Sequence, residues 1–551
     1  MWLIDTRTHE LKLFRDPAEI EYSYAILSHT WGDHEISYQD IQNPFQRNSG
    51  RFGKIAGACR LAHARRLRYA WVDTCCIDKS SSAELSEAIN SMFKWYMQSA
   101  LCIVYLEDLP SEGSFEQHFP ACKWLTRGWT LQELIAPRVV EFYDASWTYR
   151  GCKSDLKTFL AGVTRIDEEV LSDSQTMFEV PVARRMSWAS MRQTTRVEDK
   201  AYCLLGIFDV NMPMLYGEGA RAFMRLQEEI VKETGDLSIF AWVDLPPGLS
   251  GADPWIRQSY RGVFARSPRE FANCHSLRQR IKGVFLNKEF TVTNKGLRIE
   301  TALVDVPSAS QDFVWNLGVS DEVNWSIGDP GGWVGVYLAK TATGYVRSNP
   351  YCLFKAGPET IRNRCDSALI HIQKDIRASE SEKIEKRFRG AICVDFSQVS
   401  CEIVAIMPPQ LWDEKRRLFL NMGEGINAYL RLRFYLWDSP GISFPLLVTC
   451  STMFEPGCAI WTEDHPFWDD LLLFTNVAKE LTDYVAADYL RGQILSWGGS
   501  QLSSTDACKL KHPQFRSMVY IQVAIRPHVA ESQPCFKLVL STEGAFDEMN
   551  L

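Results

Sequence analysis

No Cys-x-x-Cys occurs anywhere in the 551 residues, and the 16 cysteines are scattered from Cys59 to Cys535, with Cys75-Cys76 the only adjacent pair. That spacing removes the usual basis for a zinc ribbon or a thioredoxin-type site and gives no sign of a secreted disulfide framework. Long apolar runs are also missing: SALCIVYL is strand-sized, far short of the ~20 residues that cross a bilayer. The opening MWLIDTRTHELKLFRD has no basic segment followed by an apolar stretch, so it does not read as a secretory signal. There is no G-x-x-x-x-G-K-[ST] phosphate loop, no fixed-period repeat and no low-complexity tract. Excess positive charge is absent as well. Lys plus Arg is 60 against 68 for Asp plus Glu, a net charge of −8, which makes nucleic acid an unexpected partner. Together these absences predict a soluble cytoplasmic chain with reduced thiols, no transmembrane segment, no resident metal and no resident cofactor.

What is present is ordinary globular composition, 46% apolar and 23% charged, in a length that suggests about two to four domains. The first ~240 residues alternate strand-like and helix-like patterns. YAILS (24–28), RYAWVDT (68–74), LCIVYLED (101–108) and RVVEFYD (138–144) read as strands apolar on both faces. Between them, 52–68 separates apolar from basic residues at helical spacing. In 78–100, Leu85, Ile89, Met92, Phe93 and Tyr96 form an apolar stripe, opened by Ser81 or Ser82 as N-cap. KWLTRGWTLQELIA (123–136) reads as one helix stopped by Pro137. Buried strands separated by helices predict a doubly wound α/β parallel sheet, with ligands at the carboxyl ends of its strands. The loops SHTWGD and TCCIDK lie there. Residues 151–242 read as a helical extension. After LPPGLSGADP, residues 243–551 are mostly short Val-, Ile-, Phe- and Tyr-rich runs, a pattern that predicts a β-rich, sandwich-like domain with a helical interlude near 465–491.

Five strings carry a more specific signal: YAILSHTWG (24–32), WVDTCCIDK (71–79), RGWTLQELIAP (127–137), SWASMRQTTRVEDKAYCLLGIFDVNMPMLYGEG (187–219) and AFMRLQEEI (222–230). In order and spacing they resemble the fungal heterokaryon incompatibility (HET) domain family over roughly residues 20–235. The resemblance implies a HET domain at 1–242, with a core at about 20–150 similar to TIR domains, in a protein of programmed cell death and allorecognition. It also implies assembly with copies of itself or with a regulatory incompatibility partner. Trp129 and Glu133 form a W-x-x-x-E string of the type in which catalytic TIR domains carry an essential glutamate. By that resemblance NAD is the substrate, cleaved at the nicotinamide–ribose bond.

Four residues apart on a helix, Trp129 and Glu133 share a face. A carboxylate beside an aromatic wall suits loss of a neutral nicotinamide with oxocarbenium character left on the ribose. The alternative is a structural Glu133 paired with Arg127 or Arg138, with Trp129 in the core. Ser28, His29, Thr30, Trp31 and Gly32 can hold a nucleotide's phosphates or stack its base, or can simply lock the loop to the sheet. Asp73 can accept ribose hydroxyls, while Asp78 reads as a helix cap. Cys75 and Cys76 read as buried small apolar residues. Arg184, Arg185, Arg192 and Arg196, interleaved with Glu198 and Asp199, read as an ion-pair network, the alternative being a pyrophosphate cradle. A module of the same fold that recruits a separate executor, without chemistry, is the competing function. An open cleft at Glu133 separates the two.

Overall fold

The computed structural model describes residues 1–245 apart from 16 and 49, and 258–547 apart from 280–288, 306–311, 322–331, 342, 357–365, 422–424, 437–438, 453–455, 467, 469–502, 512–516 and 531–532. Most of the linker signal at 245–254 and of the helical interlude expected near 465–491 lies outside these residues.

Seven strands make the N-terminal sheet: β1 (Trp2–Asp5), β2 (Leu11–Leu13), β3 (Tyr24–His29), β4 (Tyr69–Trp71), β5 (Leu101–Tyr105), β6 (Val140–Tyr143) and β7 (Tyr149–Cys152), in the order β2-β1-β4-β3-β5-β6-β7. β4, β3, β5 and β6 are parallel, and β1, β2 and β7 add antiparallel edges. The four parallel strands therefore run second-first-third-fourth in chain order. β3 and β5 stand side by side where the winding reverses, with Ser28 opposite Val104 and His29 opposite Tyr105. All residues of β3, β5 and β6 are buried, as a sheet covered on both faces requires.

The helices of this part are α1 (Tyr38–Ile41), α2 (Gly53–Ala64), α3 (Ser82–Met97), α4 (Phe115–His118), α5 (Lys123–Thr126) and α6 (Thr130–Ile135). Ser81 is the N-cap of α3, its hydroxyl accepting from the Glu84 amide, and the predicted stripe supplies buried Ile89, Met92 and Tyr96. The single helix expected over 123–136 is instead two. Arg127 takes an extended backbone and bridges Gln193, Gly128 N–H donates to the Gln193 carbonyl at 2.8 Å, and the Arg192 guanidinium donates to the Arg127 carbonyl and Thr130 hydroxyl, both at 2.8 Å. Tertiary hydrogen bonds to a distant segment thus outcompete local helix propensity.

Residues 151–242 are mainly short helices. One of them, Leu205–Phe208, packs directly on α3, and a Cβ added at Gly206 would lie 2.1 Å from the Phe93 Cβ. Gly206→Ala is expected to destabilise the chain by about 1–3 kcal/mol, read as a lowered urea midpoint with unchanged slope.

The C-terminal part is β-rich. A ten-stranded sheet covers residues from Tyr260 to Ile372, and a six-stranded and a four-stranded sheet follow. The last two bury a shared core, Ile392, Ile521, Val523 and Leu538 of one against Leu430, Phe434, Leu446 and Val448 of the other. A single cluster of buried side chains runs from Leu3 through Trp242 to Ile372, so the apolar core does not break at residue 242. No helix among the described residues is long and apolar enough to cross a membrane.

Candidate functional site

Successive residues of β3 face opposite sides of the sheet. Tyr24 and Ser28 look toward α3 and α6: the Tyr24 hydroxyl donates to the Trp95 carbonyl at 2.5 Å, and the Ser28 hydroxyl contacts the Glu133 carboxylate at 2.5 Å. Ser28 also accepts from the Trp124 indole N–H at 2.7 Å. Tyr96 closes the group from α3, its hydroxyl donating to the Leu27 carbonyl at 3.1 Å and lying near Glu133. Glu133 sits in α6, whose last carbonyls at Leu134 and Ile135 receive the buried Lys153 ammonium at 3.2 and 3.4 Å. A cation at a helix C-terminus holds the helix in place. Burial pushes the Lys153 amine down to about 8.

Glu133 is only 6% exposed and forms no ion pair with Arg127 or Arg138 among the described residues. Burial pushes its carboxyl up to about 8; the Ser28 hydrogen bond, the nearby Tyr96 hydroxyl and the Arg127 charge oppose this, while the Asp73 charge adds to it. The neutral acid is therefore the main form at neutral pH. The unfolded chain gives up this proton near 4.5, earlier than the native chain. The group's favourable contribution is thus complete below the ordinary carboxyl range and fades as pH climbs toward 8, by on the order of 3–5 kcal/mol. Stability should fall between about pH 5 and pH 8, and this slope should flatten in Glu133→Gln, as urea titrations at several pH values would measure.

Trp129, the helical N-cap of α6 in the W-x-x-x-E string, is half-buried, and its indole lies toward the Asp199 carboxylate, whose charged form it favours. The indole near the acid is Trp124, reached through Ser28. Sequence spacing alone hid this, because the extended backbone at Arg127 turns Trp124 back toward β3.

On the other face, His29 lies between two carboxylates, Nε2 3.7 Å from Glu35 and Nδ1 4.0 Å from Asp73. Glu35 accepts from the Gly32 amide at 2.7 Å and from Lys54 at 2.8 Å. Burial alone would raise the Glu35 carboxyl; the facing His29 imidazole and donation from Gly32 and Lys54 outweigh it and hold the group at about 2. Lys54 also reaches the Thr30 carbonyl at 3.1 Å and Glu107 at 3.2 Å, so the loop after β3 is fastened to α2 and to the residues after β5. Gly32 supplies its amide, but the turn does not require glycine: a Cβ there would meet nothing closer than 3.6 Å and its φ is not positive. Asp73 follows β4 and accepts from the Trp31 indole at 2.8 Å, and Lys79 lies 3.9 Å from the Trp31 ring centroid. Ser28, His29, Trp31, Asp73 and Glu133 thus gather at the carboxyl ends of β3 and β4. Thr30 contributes only a backbone carbonyl, to Lys54.

Glu35, Lys54, Lys79, Tyr96 and Trp124 escaped the sequence reading. Lys54 and Tyr96 lie on helices whose apolar stripe was the visible signal, and Glu35 lies in a polar loop without a motif. Asp78 accepts from the Ser80 amide and hydroxyl ahead of α3, close to the capping role expected. The arginines divide as structural ties rather than a cradle. Arg184 pairs with Asp167, Arg185 donates to the Ile207 carbonyl, Arg192 holds the break before α6, and Arg196 lies over Tyr216. Glu198 accepts from the amides of Gly217 and Gly219. Cys75 and Cys76 are buried, and no group of three or more His, Cys, Asp or Glu among the described residues is arranged to hold a metal.

Comparison with known proteins matches residues 24–118 to the heterokaryon incompatibility protein (HET) family model, and residues 221–314 to a domain of unknown function (DUF8212). The chain is 46% identical over 225 residues to the vegetative incompatibility protein HET-E-1 of Podospora anserina. That match takes in 39% of this chain and 16% of the relative's length. No solved structure matches significantly. The strand that bears Ser28 and His29, the loop of Trp31 and Asp73 all fall inside the first match, and the chain thus carries a heterokaryon incompatibility (HET) domain.

Proposed function

We propose that this chain is a heterokaryon incompatibility effector whose HET domain cleaves NAD at the nicotinamide–ribose bond, with Glu133 as the acting carboxylate. The observation that carries this reading is the Ser28–Glu133 contact at the carboxyl end of β3, beside the reversal of strand order where α/β sheets bind ligands. The parallel order second-first-third-fourth is also the one a TIR-like domain would have, and the relative's name supports the biological role. In the reaction the C–N glycosidic bond breaks and its electron pair neutralises the pyridinium nitrogen. The ribosyl oxocarbenium ion is stabilised by the Glu133 carboxylate until water adds and releases a proton. A bound pyridinium would itself favour ionisation of Glu133. The effector works in the cytoplasm as a homotypic assembly, with the C-terminal β-rich part as sensor or assembly surface and an incompatibility partner as trigger.

The burial of Glu133 favours a second reading, a TIR-like module without chemistry that recruits a separate executor. The test is release of free nicotinamide from NAD by purified chain, dilute and under conditions that promote assembly. Release supports the effector with chemistry, and its absence throughout supports the recruiter.

A further inference from the structure

Trp31 is 47% exposed, too open for a packing role, yet its ring is fixed, because Asp73 accepts its indole N–H at 2.8 Å. The exposed Lys79 places its ammonium 3.9 Å from the ring centroid and makes no ion pair among the described residues. Lys54, the other cation here, is committed to Glu35 and Glu107. The same Asp73 carboxylate keeps its other oxygen, Oδ1, buried without a hydrogen-bond partner. An indole face held at its edge by an anion, with an exposed ammonium resting on it, describes a seat for positive charge.

We propose that the Trp31 face is the binding seat of a planar aromatic cation, with Lys79 as its resting occupant. Resting on the NAD-cleavage reading, the occupant is the pyridinium ring of the oxidised dinucleotide. Entry requires Lys79 to swing away, so Lys79 is a competitor rather than a ligand. The seat selects by charge. A reduced, neutral dihydropyridine gains little from the ring quadrupole, and the nicotinamide product becomes neutral when the glycosidic bond breaks, which promotes its departure.

The test is calorimetric titration of the full chain with 1-methylnicotinamide, a pyridinium cation, and with neutral nicotinamide. The cation is expected to bind about tenfold tighter than its neutral counterpart. Lys79→Met should tighten cation binding several-fold, and Trp31→Leu should erase the preference, both with unchanged circular dichroism since the side chains are exposed. Equal binding of the two probes, or cation binding that Lys79→Met leaves unchanged or weakens, would overturn the seat. Cation selectivity without NAD turnover keeps the seat and removes the cleavage reading. NAD turnover that Trp31→Leu leaves unchanged, with the same discrimination against NADH, removes the seat and keeps the cleavage.

Discussion

Glu133→Gln is expected to reduce nicotinamide release from NAD by about 10³-fold or more while leaving the chain folded. The amide keeps the side chain's size and its oxygen can still accept from Ser28, so the contact at the end of β3 survives. What disappears is the negative charge opposite a developing oxocarbenium ion. The same substitution removes a group whose ionisation the fold resists, so above pH 8 the variant should be more stable than the native chain, by up to on the order of 3–5 kcal/mol. Loss of activity joined to a gain in stability identifies a carboxylate kept for function. A merely structural glutamate would show destabilisation instead. Trp129→Phe makes a useful companion. Its indole lies toward Asp199, so its effect should appear in stability and only weakly in turnover.

Arg347→Met should produce the largest loss of stability, about 3–5 kcal/mol. Arg347 is fully buried in the ten-stranded sheet and donates to the Phe240 carbonyl at 2.9 Å and to the Trp242 carbonyl. Its guanidinium lies 3.7 Å from the Trp242 ring centroid, and Arg261, paired with Glu270 at 2.9 Å, also lies over that ring at 4.4 Å. Burial pushes the Arg347 guanidinium down to about 9, with the Arg261 charge acting in the same sense. Methionine fills much of the volume but strands two buried carbonyls, each costing about 1–3 kcal/mol. Because one core runs across residue 242, urea unfolding should weaken the N-terminal sheet and the ten-stranded sheet together. Separate transitions for these two parts, with only one displaced, would contradict that coupling.

The central strands were legible because YAILS, LCIVYL and RVVEFY are apolar on both faces and long enough to be unambiguous. The edges were not. β1, β2 and β7 have three or four residues each, and β2 and β7 are largely open to solvent, so no pattern marks them. At the site, the loops after β3 and β4 followed from sheet topology, and Glu133 from the family resemblance. The nearness of Trp124 to the Glu133 site was hidden because the extended backbone at Arg127, held by Arg192 from 62 to 65 residues away, interrupts the helix that the pattern of 123–136 suggests. The same long-range logic hid the core's continuity past Trp242. A Pro/Gly-rich linker is visible in sequence, whereas a buried arginine stacked on a distant tryptophan is not.

The most direct test of the account is nicotinamide release by the intact chain as a function of pH, from about pH 5 to about pH 10, at several protein concentrations. The account predicts turnover whose kcat/KM rises with pH and levels above about 8, tracking ionisation of the buried Glu133 carboxyl, and which vanishes in Glu133→Gln. No nicotinamide at any pH or concentration, or a flat profile that Glu133→Gln leaves intact, would contradict it.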